Sequence, residues 1–258
     1  MSTPARETVA RFSNRAKDYV KYRPHYSPEV VQALRKACDL RPEHVIADVG
    51  CGPGLLAEVL LENGNRVIGV EPNLEMREAG QEYLARSANF SMIEGNAEST
   101  TLADLSMDFV VAGQAFHWFR PDPTRAEFSR ILKPGGWTVL IWHDRATEAT
   151  PFLRAYDDFL QTHAIDYLQV NHKTVASDDV ITRFFSPNSV QLILQQTRQR
   201  FDLDGLKGRL LSSSYVPKEG AAAETMLQEL PELFSRFSEE GHVVVEYETK
   251  IYFGHLTP

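Results

Sequence analysis

Two acidic residues and three glycines carry the densest chemistry in this chain. The run Asp48-Val49-Gly50-Cys51-Gly52-Pro53-Gly54 puts a carboxylate two places ahead of three glycines at alternate positions. Glycine lets the backbone turn left-handed and approach a ligand closely, and a helix starting just afterwards presents unpaired N–H groups. The spacing narrows the ligand. A dinucleotide fingerprint would need glycine at position 55, where Leu55 stands, and a phosphate-cradling loop would need a Lys-Ser or Lys-Thr pair, which does not follow. A carboxylate beside the turn suits a ligand with a cationic end better than a pyrophosphate. Glu71, 21 residues after Gly50, suits a nucleoside-binding acid and would also fit a dinucleotide enzyme.

These groups need a strand, a tight turn and a helix to hold them. Val45 to Val49 is a short apolar, β-branched run, as expected of a strand buried on both faces. Leu55, Leu56, Val59 and Leu60 then resume at helical spacing, and Asn63-Gly64-Asn65 stops that helix. Further strands are predicted at 66–70, ending in Glu71-Pro72, at 90–93, and at 107–112. Asn73 caps a helix containing Leu74, Met76, Ala79, Tyr83 and Leu84. A helix over 124–132 leads through the turn Lys133-Pro134-Gly135-Gly136 into a fifth strand, 137–143. Beyond it the pattern predicts helices at 152–168, 177–185, 204–213 and 221–237. Strands are predicted at 189–201 and 243–252, the latter with clear alternation through Val243, Val245, Tyr247, Thr249 and Ile251.

The stretch Asp48 to Gly54, with Glu71 closing the second strand, resembles motif I and its acidic partner in the class I S-adenosylmethionine-dependent methyltransferases. The resemblance spans roughly residues 40–143. It implies a doubly wound α/β fold: a seven-stranded, mostly parallel Rossmann-like sheet with an N-terminal lid and a C-terminal helical cap. The boundaries expected are 1–37 for the lid, 38–145 for the cofactor-binding core, and 146–258 for the remaining edge strands and cap. S-adenosylmethionine is the implied cofactor, held at the turn by Asp48, Gly50, Cys51, Gly52 and Gly54, with Glu71 on its ribose. Pro72, Met76, Asn96, Ala97 and Glu98 fall where the family meets the adenine, and Gln114 and Ala115 stand beyond the fourth strand.

Two further segments resemble small-molecule methyltransferases near the trans-aconitate methyltransferase (methyltransferase type 11) group. One is the N-terminal Phe12…Ala16…Tyr19…Tyr22-Arg23-Pro24, whose resemblance places Tyr19 and Arg23 on the cofactor's carboxylate. The other is Ala115-Phe116-His117-Trp118-Phe119, in place of the Asn-Pro-Pro-Tyr of DNA amino-methyltransferases. Open α/β sheets bind ligands beyond the carboxyl ends of their strands, so this segment should face the transferred methyl. His117 is the candidate general base by position. Tyr26, Trp118, His143 and Tyr215 are candidates for the acceptor side. A carboxylate acceptor would need no base, whereas a hydroxyl or amine would.

Composition bounds the alternatives. Apolar residues make up 43% and charged residues 24%, ordinary for a soluble globular protein. Net charge is −8 with no basic block, which argues against nucleic acid as partner. No apolar run approaches the ~20 residues that cross a bilayer, and no hydrophobic leader opens the chain, so a cytoplasmic location is expected. Cys38 and Cys51 are the only cysteines; the eight histidines do not cluster with ligand spacing, so no metal is expected. Methyl transfer to a small molecule, with a weak preference for oxygen, is the expected activity. A catalytically silent cofactor-binding module and a nucleotide-cofactor oxidoreductase remain as alternatives, and the oligomeric state is left open.

Overall fold

The computed structural model describes residues 20–165, 167 and 177–256. Seven strands form one sheet in the order β3-β2-β1-β4-β5-β7-β6. They are β1 (Val45–Val49), β2 (Arg66–Val70), β3 (Phe90–Ile93), β4 (Met107–Gly113), β5 (Leu132–Arg145), β6 (Gln191–Phe201) and β7 (Val243–Gly254). The first five are parallel, and β7 inserts antiparallel between β5 and β6. The expected doubly wound sheet is therefore present, with its two last strands antiparallel at one edge.

Helices cover both faces because the central strands are apolar on both sides. Helix α1 (Pro28–Cys38) opens with proline in its first turn, and its buried residues Val30, Val31, Leu34 and Cys38 lie at helical spacing. It joins α2 (Leu55–Glu62) over Ile46, Phe109, Val111 and Ile141. Helix α3 (Leu74–Tyr83) follows β2, and its cap Asn73 accepts a hydrogen bond from the Met76 N–H at 2.8 Å. On the opposite face, α4 (Pro121–Ile131) and α6 (Asp178–Phe185) bury Phe128, Ile131, Phe184 and Phe185 over Ala47, Val49, Val110 and Leu140.

A third core lies beyond the strand ends. Helices α5 (Pro151–His163), α7 (Leu203–Leu211) and α8 (Ala221–Phe237) pack Phe152, Tyr156, Leu206, Leu210, Met226 and Leu230 against Val243, Val245 and Tyr247 of β7. These helices form the cap. Its base is the overhang of β5, whose last residues Asp144 and Arg145 pair with Glu248 and Tyr247.

Three boundaries differ from the sequence expectation. Helix α4 begins at Pro121 rather than Thr124, since Pro121 and Pro123 are both tolerated in a first turn. Lys133–Gly136 is a bulged part of β5 rather than a turn before it. Leu132 already pairs with Met107, and pairing resumes at Trp137 opposite Phe109, with Gly135 at φ +78°. Helix α5 ends at His163, short of the expected Leu168, which lies outside the described residues. The helix expected over 177–185 is present as α6, but it covers the sheet and not the cap.

Candidate active site

The glycine turn is locked onto the neighbouring strand. Gly50 N–H donates to the Val70 carbonyl at 2.8 Å, and Gly52 N–H to Glu71 Oε2 at 3.0 Å. Glu71 Oε1 accepts from the Asn73 N–H at 2.9 Å, so both of its oxygens hold backbone. Gly50, Gly52 and Gly54 all have positive φ, at +67°, +55° and +90°. Their surroundings differ. A Cβ at Gly50 would collide with the Ala115 side chain, whereas one at Gly52 would meet nothing within 4 Å. Gly50 is thus glycine for packing between strand exits, and Gly52 leaves open space beside Glu71.

Asp48 closes the cradle from below. It is 1% exposed, and neither carboxylate oxygen has a partner in hydrogen-bond geometry. Burial, then repulsion from Glu71, pushes its pKa up to about 8, with the Ala57 N–H opposing. Burial likewise raises Glu71, against the N–H groups of Asn73 and Gly52 and the charge of Arg77. Two buried acids, one with both oxygens outside hydrogen-bond geometry, form a cradle for a ligand that brings hydroxyls and a positive charge. The S-adenosylmethionine methionine end and ribose fit that donor set.

The other expected cofactor residues lie at the start of α3 and on the loops after β2, β3 and β4. Met76 is buried at the start of α3, and Pro72 precedes it, half-buried. Ala97 is buried, while Asn96 accepts from the Glu98 N–H at 3.0 Å within its own turn. Glu98 Oε1 accepts from the Arg120 N–H at 2.9 Å. Gln114 sits at φ +55°, its N–H bonded to Ile141 O and its Nε2 donating to His143 O at 3.3 Å. Ala115 packs at the Gly50 turn. Tyr19 lies outside the described residues.

The acceptor-side candidates divide between strand ends and cap. His117 and Trp118 occupy a short 3-10 turn, with ring centroids 4.8 Å apart. His143, at the end of β5, is 5% exposed; its Nδ1 contacts Thr249 Oγ1 at 2.7 Å, while Nε2 is buried without a partner. Burial, then Arg209, brings its pKa down to about 4, against the pull of Asp144. It is a neutral imidazole at physiological pH. The Tyr26 ring stands 4.5 Å from the His143 ring and fills the space that a side chain at Gly113 would take.

Residues 22–26 clasp core to cap. The Tyr22 ring fills the space beside Gly208 of α7, Arg23 Nη2 donates to Ser212 O at 2.9 Å, and His25 Nδ1 meets Glu58 Oε2 of α2 at 3.0 Å. Arg23 is therefore at the junction where the lid was expected. Two cap-side arginines escaped the sequence reading: the partly buried Arg145, two residues past His143, and the buried Arg209 on α7. Arg209 occupies the same helical stripe as Leu206, Leu210 and Ser213, and an arginine interrupting an apolar stripe was the available signal.

The strand order, with β7 antiparallel, and the glycine turn facing an acidic strand end define the class I methyltransferase fold. Residues 47–140 match the family described as "Methyltransferase domain". This stretch is thus similar to a methyltransferase domain, and the sheet has the fold of the class I enzymes. The chain is 33% identical over 145 residues to an uncharacterized methyltransferase of Mycobacterium tuberculosis H37Rv, covering 56% of this chain and 57% of that protein. An uncharacterized methyltransferase of Schizosaccharomyces pombe is 31% identical over 129 residues, half of each chain. The chain thus matches a little over half the length of these relatives.

Among solved structures, a proposed type II methyltransferase from Anaeromyxobacter dehalogenans superposes with TM-score 0.62 at 22% identity. The match covers 92% of this chain and 99% of that one. A methyltransferase from Geobacter sulfurreducens, solved with S-adenosyl-L-homocysteine, matches at TM-score 0.52 and 14% identity, covering 96% and 97%. These likenesses speak to the fold. The comparisons do not favour the oxidoreductase or the silent-module alternative, and the trans-aconitate-like subgroup is not specified by them. No helix of the described residues is long and apolar enough to cross a membrane.

Proposed function

We propose that this chain transfers the methyl group of S-adenosylmethionine to a small-molecule acceptor, on an oxygen, in the space between the strand ends and the cap. The observation that carries the reading is Asp48, a buried carboxylate with neither oxygen in hydrogen-bond geometry, near the open space at Gly52 and the acid Glu71. When bound, the cofactor supplies an electrophilic methyl on a positive sulfur and leaves as a neutral thioether.

The protein's part is then positioning and exclusion of water. Asp48 offers its charge to the cationic methionine end, and Glu71 accepts from the ribose hydroxyls. Cys51 and the turn glycines shape the cradle, while Pro72, Met76, Asn96, Ala97 and Glu98 border the adenine. Gln114 and Ala115 line the exit of β4, and Tyr19 with Arg23 attend the cofactor's carboxylate. Tyr26, Trp118, His143 and Tyr215 face the acceptor. His117 removes a proton where the acceptor is a hydroxyl, and is dispensable where it is a carboxylate. The excess of 35 acidic over 27 basic residues supports a small molecule over a nucleic acid, and a cytoplasmic setting suits two buried free thiols.

Calorimetric titration with S-adenosylhomocysteine, run beside NADH, tests the reading. Micromolar binding of the first alone is expected. Binding of NADH alone would replace it with a dehydrogenase.

A further inference from the structure

The cap buries positive charge that its own residues do not neutralise. Arg209 is 7% exposed. Its Nε donates to the Tyr247 hydroxyl at 3.3 Å and its Nη1 to Ser213 Oγ at 3.0 Å, and among the described residues no carboxylate forms an ion pair with it. Arg145 stands on the other side. Its Nη2 reaches Asp157 Oδ1 at 2.9 Å and the Tyr167 hydroxyl at 2.5 Å, while its Nε is buried without a partner. One carboxylate, on Arg145, thus stands against two guanidiniums, one buried and one partly buried. A buried charge is unfavourable unless an opposite charge or a full set of acceptors compensates it.

Tyr215 reports the same excess. Its ring lies 5.0 Å from that of Tyr167. Burial alone would raise its pKa, yet Arg145, Arg209 and Arg23 outweigh that and bring it down to about 8. The imbalance adjoins the reaction site, because Tyr247, which holds Arg209, lies 6.2 Å ring to ring from His143. His143 Nε2 is itself buried and unpartnered. The missing element is an anion.

We infer that Arg145, Arg209 and Tyr215 form an oxyanion subsite that takes a carboxylate or phosphate group of the methyl acceptor. This rests on the methyltransferase reading above. The planar guanidinium fork matches both oxyacids, and the phenol adds a short donor. A neutral acceptor of the same shape would leave the two cations uncompensated, so the subsite selects by charge before shape.

The test uses the full chain, loaded with S-adenosylhomocysteine and titrated with glutarate, phthalate and phenyl phosphate. Glutaramide, phthalamide and phenol serve as uncharged counterparts. At least one anion should bind where its counterpart does not, and preference for the phosphate or the carboxylates identifies the oxyacid. Arg209→Met should weaken that anion by about 10- to 100-fold, leave S-adenosylhomocysteine affinity unchanged, and keep or raise the unliganded Tm, since it removes an uncompensated charge. Should Arg209→Met not fold, Tyr215→Phe should still weaken the anion several-fold. Three results overturn the inference: no anion preferred at about 10 mM, undiminished anion binding in both variants, or an equal loss of S-adenosylhomocysteine binding in Arg209→Met, which would assign the cluster to the cofactor's carboxylate. Failure of the unmutated chain to bind S-adenosylhomocysteine would instead refute the methyltransferase reading.

Discussion

The two ends of the active cleft bury opposite charges. At the glycine turn, Asp48 and Glu71 are acids whose burial holds their pKa values up, and the first has no hydrogen-bond partner. In the cap, Asp157 pairs with the partly buried Arg145, while the buried Arg209 bonds only the Tyr247 and Ser213 hydroxyls. Each end is poorly compensated alone, and each is suited to a ligand of the other sign. The contrast teaches that local stability has been given up twice, in complementary senses, where two different molecules must be recognised.

The largest effect expected is at the cradle. Gly52→Val should weaken S-adenosylhomocysteine binding by at least about 100-fold, because its side chain enters the only open face of the turn. Calorimetry would show this, and circular dichroism should show the sheet intact. Retained affinity would remove the acidic end of the comparison.

Acid titration should break the cationic end. His143 has its pKa pushed below the ordinary value of 6.5, to about 4, so its contribution to stability is present above 6.5 and lost as pH falls from there to about 4. The loss amounts to about 3 kcal/mol. Denaturant melts across that window should show the slope, and His143→Phe should flatten it. A slope unchanged in the variant would place the acid sensitivity elsewhere.

Glu71→Ala should cost roughly 1–3 kcal/mol of cofactor affinity, since it removes the acceptor expected for two ribose hydroxyls. It should leave oxyanion binding in the cap intact, and a shared loss would show the two ends to be one site.

The subtlest effect is a proton. With its pKa at about 8, Asp48 is mostly protonated at pH 7 in the unliganded protein, and a cation drawn against it should expel that proton. Calorimetry in two buffers of different ionisation enthalpy should count close to one proton released, falling to none in Asp48→Asn. The sign for stability is the reverse of His143. The folded pKa is raised, so the contribution is present below the ordinary aspartate value and lost as pH rises through about 8.

The cradle was legible in the sequence because its chemistry is local. Asp48, the glycines, Asn73 and Glu71 act through backbone turns and caps within a 26-residue span, and such preferences are written residue by residue. The seven strands were found for the same reason, each by alternation or an apolar run. The cap was not legible in the same way. Arg145 and Arg209 both act on Tyr215 only after β5, β7 and α7 have assembled, and the arginine interrupting the apolar stripe of α7 is a weak signal beside a glycine turn. The bulge at Lys133–Gly136 was read as a turn, but pairing of Leu132 with Met107 depends on a strand distant in sequence. His143 was placed correctly at the end of β5. Its neutral state was not foreseen, because it arises from burial and from Arg209.

The overhang of β5 and β7 has a consequence for how this fold can diversify. The cap is carried on those two strands and clasped by residues 22–26. The matched methyltransferase stretch ends at Leu140, three residues short of His143. Acceptor preference is therefore mounted like a tool head on a fixed shaft. On the proposed function, substitutions in α5, α7 or α8 should retune which molecule is methylated while the glycine turn is kept unchanged.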